Sequence, residues 1–213
     1  MRAANAILFD ADGVIQLATD YLHASLVEAI GRPAHERDIC MAAVWAAEAP
    51  ALTGEVAFEV GLQAALLGLG AKCDVETVLE HWRMIAPDAS ILSLIRQVRQ
   101  TGVYCALASN QERNRARHMS DALGYRHVFD REFYSCDLGH TKPSRRYFDE
   151  VVRLAGLDRG RTLFIDDRLE NVEAARQSGL LAEQFVLWQV DDGAAALKEL
   201  LRRHDLTDGL AKE

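Results

Sequence analysis

Asp10 and Asp12 stand two residues apart at the end of an apolar run, Ala6-Ile7-Leu8-Phe9, and Gly13 follows them. Such a run reads as a buried strand delivering two carboxylates to a turn. Residues i and i+2 of a strand point the same way, so the pair can face one site. Gly13 lets the backbone turn there or approach a ligand closely. Two carboxylates at the end of an apolar strand are costly unless a cation or protons neutralise them. A strand followed by a polar Asx turn would carry the same letters. The fit to a calcium loop is poor, because the third acidic position and the terminal Glu are missing.

Other polar residues fall at comparable places. Ser109-Asn110 follows the apolar run from Val103 to Ala108, and Asp166-Asp167 follows Thr162-Leu163-Phe164-Ile165. Lys142 lies in Gly139-His140-Thr141-Lys142-Pro143, a loop that opens a helix. Singly, each has an ordinary role: a helix cap, a second helix start, a solvated charge. Together they occupy the carboxyl ends of expected strands, the edge at which open α/β sheets bind ligands.

The elements that must position them follow from the hydrophobic rhythm. After Ile15 the pattern turns helical for about seventy residues. Helices are expected over 20–30, 34–48, 55–67 with Thr53 as N-cap, and 75–84 capped by Asp74; Gly31, Pro33, Pro50, Gly68, Gly70 and Pro87 supply the stops. No strand-like alternation interrupts this block. Within it, Trp45, His81 and Trp82 read as amphipathic core positions rather than as residues facing a ligand. From Ala89 onward helices are expected over 91–100, 113–123, up to 154, 170–177 and 194–203. Strands are expected over 103–108, around Phe133, over 162–165 and near 185–188. Strands alternating with helices imply right-handed crossovers and a mostly parallel sheet covered on both faces. The fold class is therefore α/β, with an all-helical insert placed directly after the carboxylate turn.

With 213 residues, nearly half of them hydrophobic, the chain can bury one large domain or a core with a modest insert. A net charge of −8 disfavours nonspecific binding to nucleic acid or anionic lipid, and leaves room for a small anionic substrate. Cys40, Cys73, Cys105 and Cys136 form no CxxC pair; Cys105 and Cys136 read as small buried hydrophobes, and a reducing cytoplasm is the expected location. The opening residues do not read as a signal peptide, and no stretch is long enough to span a bilayer.

With these motifs in hand, the chain resembles the haloacid dehalogenase superfamily of hydrolases over nearly its whole length. DADGV is similar to the first motif of that family, Ser109 to the hydroxyl of the second, Lys142 in GHTKP to the lysine of the third, and FIDDRLEN to the acidic pair of the fourth. The resemblance implies a Rossmann-like core over 1–16 and 85–213 and a helical cap over 17–84. It implies a Mg²⁺-dependent phosphatase acting on a small phosphorylated metabolite, with Asp10 as nucleophile and Asp12 as acid/base. By the same resemblance Mg²⁺ is held by the Asp10 side chain, the Asp12 backbone carbonyl and Asp167, with Asp166 either a further ligand or, like Asn171, an assistant that orients Lys142 or metal waters. Lys142 neutralises charge, while Ser109 and the Asn110 amide hold a phosphoryl oxygen. A phosphomutase shares every one of these motifs. A hydrolytic dehalogenase usually lacks the second Asp and the acidic pair, and a non-catalytic phospholigand sensor would usually have lost Asp10 or Lys142. The substrate and the oligomeric state stay open.

Overall fold

The computed structural model describes residues 4–18 and 22–210. Its centre is a five-stranded parallel sheet in the order β5-β4-β1-β6-β7. The strands are β1 (Ala6–Phe9), β4 (Tyr104–Ser109), β5 (Arg131–Tyr134), β6 (Thr162–Asp166) and β7 (Leu181–Gln184). The central strand β1 is buried along its whole length and pairs with β4 and β6, Phe9 lying level with Leu107 on one side and Ile165 on the other. The chain first winds outward through β4 and β5, then returns to the far side of β1 for β6 and β7, so the switch in strand order falls at β1.

The two-residue period of the strands sorts their side chains between two cores. Ile7, Phe9, Cys105, Leu107, Leu163 and Ile165 pack on one face with the helices α5 (Ala89–Gln100) and α10 (Gly193–Arg202). Leu8, Ala106, Ala108 and Phe164 pack on the other with α8 (Arg145–Ala155) and α9 (Leu169–Gln177). Strands covered on both faces are continuous apolar runs for that reason.

The helical block is α1 (Leu22–Ile30), α2 (Arg37–Glu48), α3 (Phe58–Leu69) and α4 (Val75–Trp82). It has its own core, which includes Leu26, Val44, Phe58, Leu62, Val78 and Trp82. Asp74 caps α4 by accepting from the Thr77 amide at 2.9 Å, as expected. The first residues of the expected helix over 20–30 lie partly outside the described residues.

Several expectations need correction. The helical block is not free of strands at its ends: β2 (Gln16–Ala18) and β3 (Ile85–Pro87) pair antiparallel, with Leu17 opposite Ala86. Three residues per strand are too few to show alternation in a sequence. Thr53 is not an N-cap. It ends a 3₁₀ turn, Ala49–Thr53, its hydroxyl donating to the Pro50 carbonyl, and α3 starts at Phe58 without a side-chain cap. The helix over 113–123 divides into α6 (Arg113–Arg117) and a π turn, His118–Ala122. A short helix α7 (Ser135–Leu138) follows β5. The last strand is β7 rather than 185–188, where Leu187–Gln189 form a 3₁₀ turn instead. β7 lies at the sheet edge and is only partly buried, so Leu-Ala-Glu-Gln carries little of the apolar signal that marks the central strands.

Candidate active site

The site is built at the carboxyl edge of β1, β4 and β6, beside the switch in strand order. The Asp10 amide donates to the Ile165 carbonyl at 2.8 Å, so β1 stays paired with β6 up to its carboxylate. Ser109 and Asp166 are the last residues of β4 and β6, and both are buried.

Lys142 joins them. Its Nζ lies 2.8 Å from Asp10 Oδ1 and 2.7 Å from Asp166 Oδ2, with all three side chains buried. Burial works against the ammonium, but Asp10 and then Asp166 outweigh it and push the lysine pKa up. The Asp166 carboxylate is otherwise saturated. Asn171 Nδ2 donates to both oxygens at 2.9 and 3.1 Å, and the Arg168 amide donates to Oδ1 at 2.9 Å. The Asn110 side chain fastens the lysine loop from the other side, donating to the Lys142 carbonyl and accepting from the Lys142 amide, both at 2.9 Å.

Asp10, Asp166 and Asp167 each offer one carboxylate oxygen, all within 4.8 Å of one another. Three carboxylates against one lysine leave two negative charges in excess, and an all-oxygen donor set of this kind suits a hard divalent cation. Burial first, and neighbouring charge after it, perturbs the Asp10 and Asp167 carboxyls. Burial raises Asp10 to about 7, Lys142 opposing and Asp166 adding to the rise. Burial and the neighbouring Asp166 raise Asp167 to about 6.

Asp12 has a different environment. Arg115 approaches it with both arms, Nη1 to Oδ2 at 3.0 Å and Nη2 to Oδ1 at 2.9 Å. Gln16 donates to Oδ1 at 2.9 Å and Gln111 to Oδ2 at 2.7 Å, while the Tyr125 hydroxyl, donating to Gln16 Oε1, fixes the first amide. Burial alone would raise the Asp12 pKa, but Arg115 and the two amides overcome it and hold the carboxyl below its ordinary value. Arg115 is placed by Glu112, which caps α6 by accepting from the amides of Asn114 and Arg115. The Arg115 Nε is buried without a partner.

Gly13 has φ +80°, and a Cβ there would sit 2.7 Å from Asp167 Oδ2 and 2.7 Å from the Trp188 ring. The glycine therefore serves both a left-handed turn and the close packing of its loop against Asp167 and Trp188.

These residues open into a cavity of about 580 Å³ that Asp10, Asp12, Ser109, Asn110, Lys142 and Asp167 line from the core side. All the site residues expected from sequence thus face one space, except Asp166, which lies beneath it holding Lys142 and Asn171. Sequence reasoning missed Gln16, Gln111, Arg115 and Glu48. Gln16 and Arg115 lie four residues after Asp12 and six after Ser109, where nothing in the letters marks them. Trp45 and Trp82 also line the cavity, Trp45 half-exposed, whereas His81 turns away to the Thr77 carbonyl.

A sequence model of the haloacid dehalogenase-like hydrolases matches residues 4–179. A curated sesquiterpene phosphatase of Aspergillus oryzae is 29% identical over 97 residues, which is 46% of this chain and 50% of the fungal protein. The match thus spans about half the length of that curated relative. Among solved structures, a HAD-like family hydrolase of Porphyromonas gingivalis superposes with a TM-score of 0.76 at 20% identity, covering 94% of this chain and 99% of the other. A HAD family enzyme of Bacteroides thetaiotaomicron, in complex with magnesium and inorganic phosphate, gives 0.72 at 17% identity over 85% and 93%. The L-2-haloacid dehalogenase of Xanthobacter autotrophicus gives 0.63 at 17% identity over 99% and 90%.

Proposed function

The chain belongs to the haloacid dehalogenase-like hydrolases, and from that membership we propose that it is a Mg²⁺-dependent phosphatase that hydrolyses a small phosphomonoester through an aspartyl-phosphate on Asp10. The observation that carries this reading is the arrangement around Lys142: one buried ammonium bridging Asp10 and Asp166, with the Asp167 carboxylate beside them as a further oxygen donor. Residues 17–84 act as the cap over this edge.

A phosphate ester and a carboxylate nucleophile repel each other. Mg²⁺ held by the Asp10 and Asp167 carboxylates and the Asp12 carbonyl would supply the charge that lets them meet. Lys142 neutralises the nucleophile and the phosphoryl oxygens, with Asp166 and Asn171 fixing its direction. The Ser109 hydroxyl and the Asn110 amide position a phosphoryl oxygen. Asp10 attacks phosphorus, the bond to the alcohol oxygen breaks, and that oxygen takes a proton from Asp12. Water then attacks the aspartyl-phosphate while Asp12 takes a proton from it, the bond to Asp10 breaks, and phosphate leaves. The pairing with Arg115 leaves Asp12 ionised and ready for the second half; delivering a proton in the first half asks Arg115 to loosen its hold.

Two likenesses support the reading: the Aspergillus relative carries the name of a phosphatase, and the Bacteroides enzyme binds magnesium with phosphate. The test is phosphate release from a panel of metabolite phosphates. Release that needs Mg²⁺ and stops in EDTA is expected. Equal release in EDTA and Mg²⁺ would remove the metal from the reading, and no release from any ester would reopen dehalogenation.

A further inference from the structure

All three tryptophans of the chain, Trp45, Trp82 and Trp188, line the same cavity as Asp10. Trp45 on α2 is 50% exposed and Trp188 on the core is 58% exposed. Large apolar rings left half in water forgo the gain of burial, about 25 cal/mol per Å². Two of them at one cavity, with Leu17 and Leu52 also in its wall, mark an apolar contact surface. The volume, about 580 Å³, lies within the roughly 300–1,000 Å³ of pockets that enclose drug-sized ligands. Room therefore remains for a sizeable leaving group beyond the phosphoryl subsite.

Charge narrows the choice. Among the described residues, the cap contributes Leu17, Ala18, Trp45, Glu48, Leu52 and Trp82 to the wall, and so no cation and one ionisable group, the Glu48 carboxyl, which burial raises to about 7 and which accepts from the Trp82 indole at 3.2 Å. The buried basic groups of the lining are committed, Lys142 to Asp10 and Asp166 and Arg115 to Asp12, while Arg168 sits at the exposed rim beside Glu170. A leaving group bearing a second phosphate or a carboxylate would find no spare buried cation among the described lining residues. A sugar would bring several hydroxyls to a wall whose cap side is mainly indole and leucine, and hydroxyls stripped of water without partners are costly.

We propose that the substrate is the phosphate monoester of a neutral, largely apolar alcohol, with its hydrocarbon body held between Trp45 of the cap and Trp188 of the core. This rests on the phosphatase reading for the phosphoryl end and goes beyond it for the leaving group. Trp45 and Trp188 are then specificity-determining residues, and an apolar wall without a spare buried cation disfavours anionic leaving groups.

The experiment compares kcat/KM with Mg²⁺ for octyl phosphate (below its micelle concentration) and 2-phenylethyl phosphate against glucose 6-phosphate and phosphoglycolate. The two apolar esters are expected to be preferred at least tenfold, and their order tells an aliphatic from an aromatic body. Equal or reversed preference overturns the proposal. Trp45→Ala should cut that preference about tenfold, mainly through KM, with Trp45→Phe restoring most of it. A preference unmoved by Trp45→Ala overturns the assigned wall. Should no ester be hydrolysed, p-nitrophenyl phosphate included, the phosphatase reading fails and binding decides the inference separately. Since every tryptophan faces the cavity, indole fluorescence reports occupancy without turnover. A saturable change with octyl phosphate but not with glucose 6-phosphate sustains the apolar subsite, and no change with either overturns it.

Discussion

Arg115 holds Asp12 by two parallel hydrogen bonds, 3.0 Å to one carboxylate oxygen and 2.9 Å to the other, in the planar fork geometry that a guanidinium offers and an ammonium does not. The pair joins the loop after β1 to the first turn after β4. It holds the Asp12 carboxyl ionised, and in the proposed mechanism Asp12 is the residue that transfers the proton.

Arg115→Met should therefore move the pH dependence. Without the guanidinium, burial dominates Asp12 and its pKa rises. The acid limb of turnover with an activated aryl phosphate, where hydrolysis of the phosphoenzyme needs ionised Asp12, shifts to higher pH. A pH–rate profile measured beside the parent enzyme checks this, and an unmoved limb would take Arg115 out of the control of Asp12.

Asp10→Asn removes the nucleophile's charge, and turnover should vanish for every ester. Asp12→Asn keeps its backbone carbonyl but loses the exchangeable proton. Its defect should be severe for an alkyl phosphate and milder for an aryl phosphate, whose leaving group departs without protonation. The aryl ester should give a burst and then stall, because no base remains to activate water. Equal losses for both esters with no burst would replace acid–base catalysis at Asp12 by a structural role.

Lys142→Ala should lower kcat roughly a hundredfold or more, since a charge-stabilising group in a water-poor site is typically worth about 3 kcal/mol. It should also destabilise the fold, leaving Asp10 and Asp166 buried without their shared cation, a change that commonly costs about 3–5 kcal/mol. Denaturant titration with and without Mg²⁺ separates the two effects, the metal recovering part of the stability and little of the rate. A fully stable, fully active variant would return Lys142 to the status of an ordinary charge.

The metal-free protein should lose stability as pH rises. Asp10 near 7 and Asp167 near 6 both lie above their unfolded values, so between about pH 4 and 7 the folded state binds more protons than the unfolded one. Their contribution is complete below pH 4 and lost as pH climbs through 6 and 7. Mg²⁺ competes with those protons, so it should raise Tm more at pH 8 than at pH 5.5. Thermal unfolding in EDTA and in Mg²⁺ at the two pH values measures it; a metal effect independent of pH would sever the link to these carboxylates.

The parts of this site that were legible in the sequence share one trait: each sits at an abrupt end of an apolar run. Phe9-Asp10, Ala108-Ser109 and Ile165-Asp166 are boundaries between a doubly covered strand and the sheet edge, and the burial that makes the run apolar also makes its polar terminus conspicuous. Arg115 and Gln16 have no such boundary. They reach Asp12 through the helix start at Glu112 and the short strand β2, and their meaning arises only when β4 lies beside β1. Trp82 is the buried core residue its pattern implies, and it borders the cavity as well, whereas Trp45 is half-exposed there. An amphipathic pattern marks Trp45 and Trp82 as belonging to one helix face, but a helix that borders a cavity has faces for both core and ligand. β7 differs from the expected position because a half-buried edge strand has no reason to be apolar, whereas Phe185 and Leu187 are apolar as part of the core and Trp188 packs against Gly13 at the cavity.

The β2–β3 ribbon brings the two ends of the helical block side by side. The chain leaves the core at Ala18 and re-enters it at Ile85, and these two residues are a cross-strand pair. Everything between them is thus a long excursion whose ends already touch, so its length and contents are only weakly constrained by the sheet beneath. Joining Ala18 to Ile85 through a two-residue Asn-Gly turn would close the ribbon as an ordinary hairpin. The five-stranded core would keep its register and the Asp10–Lys142–Asp166 constellation, while Trp45, Glu48 and Trp82 would go with the excised segment. On the proposed reading, exchanging that single contiguous stretch of gene would alter the cap half of the leaving-group wall and keep Trp188 of the core.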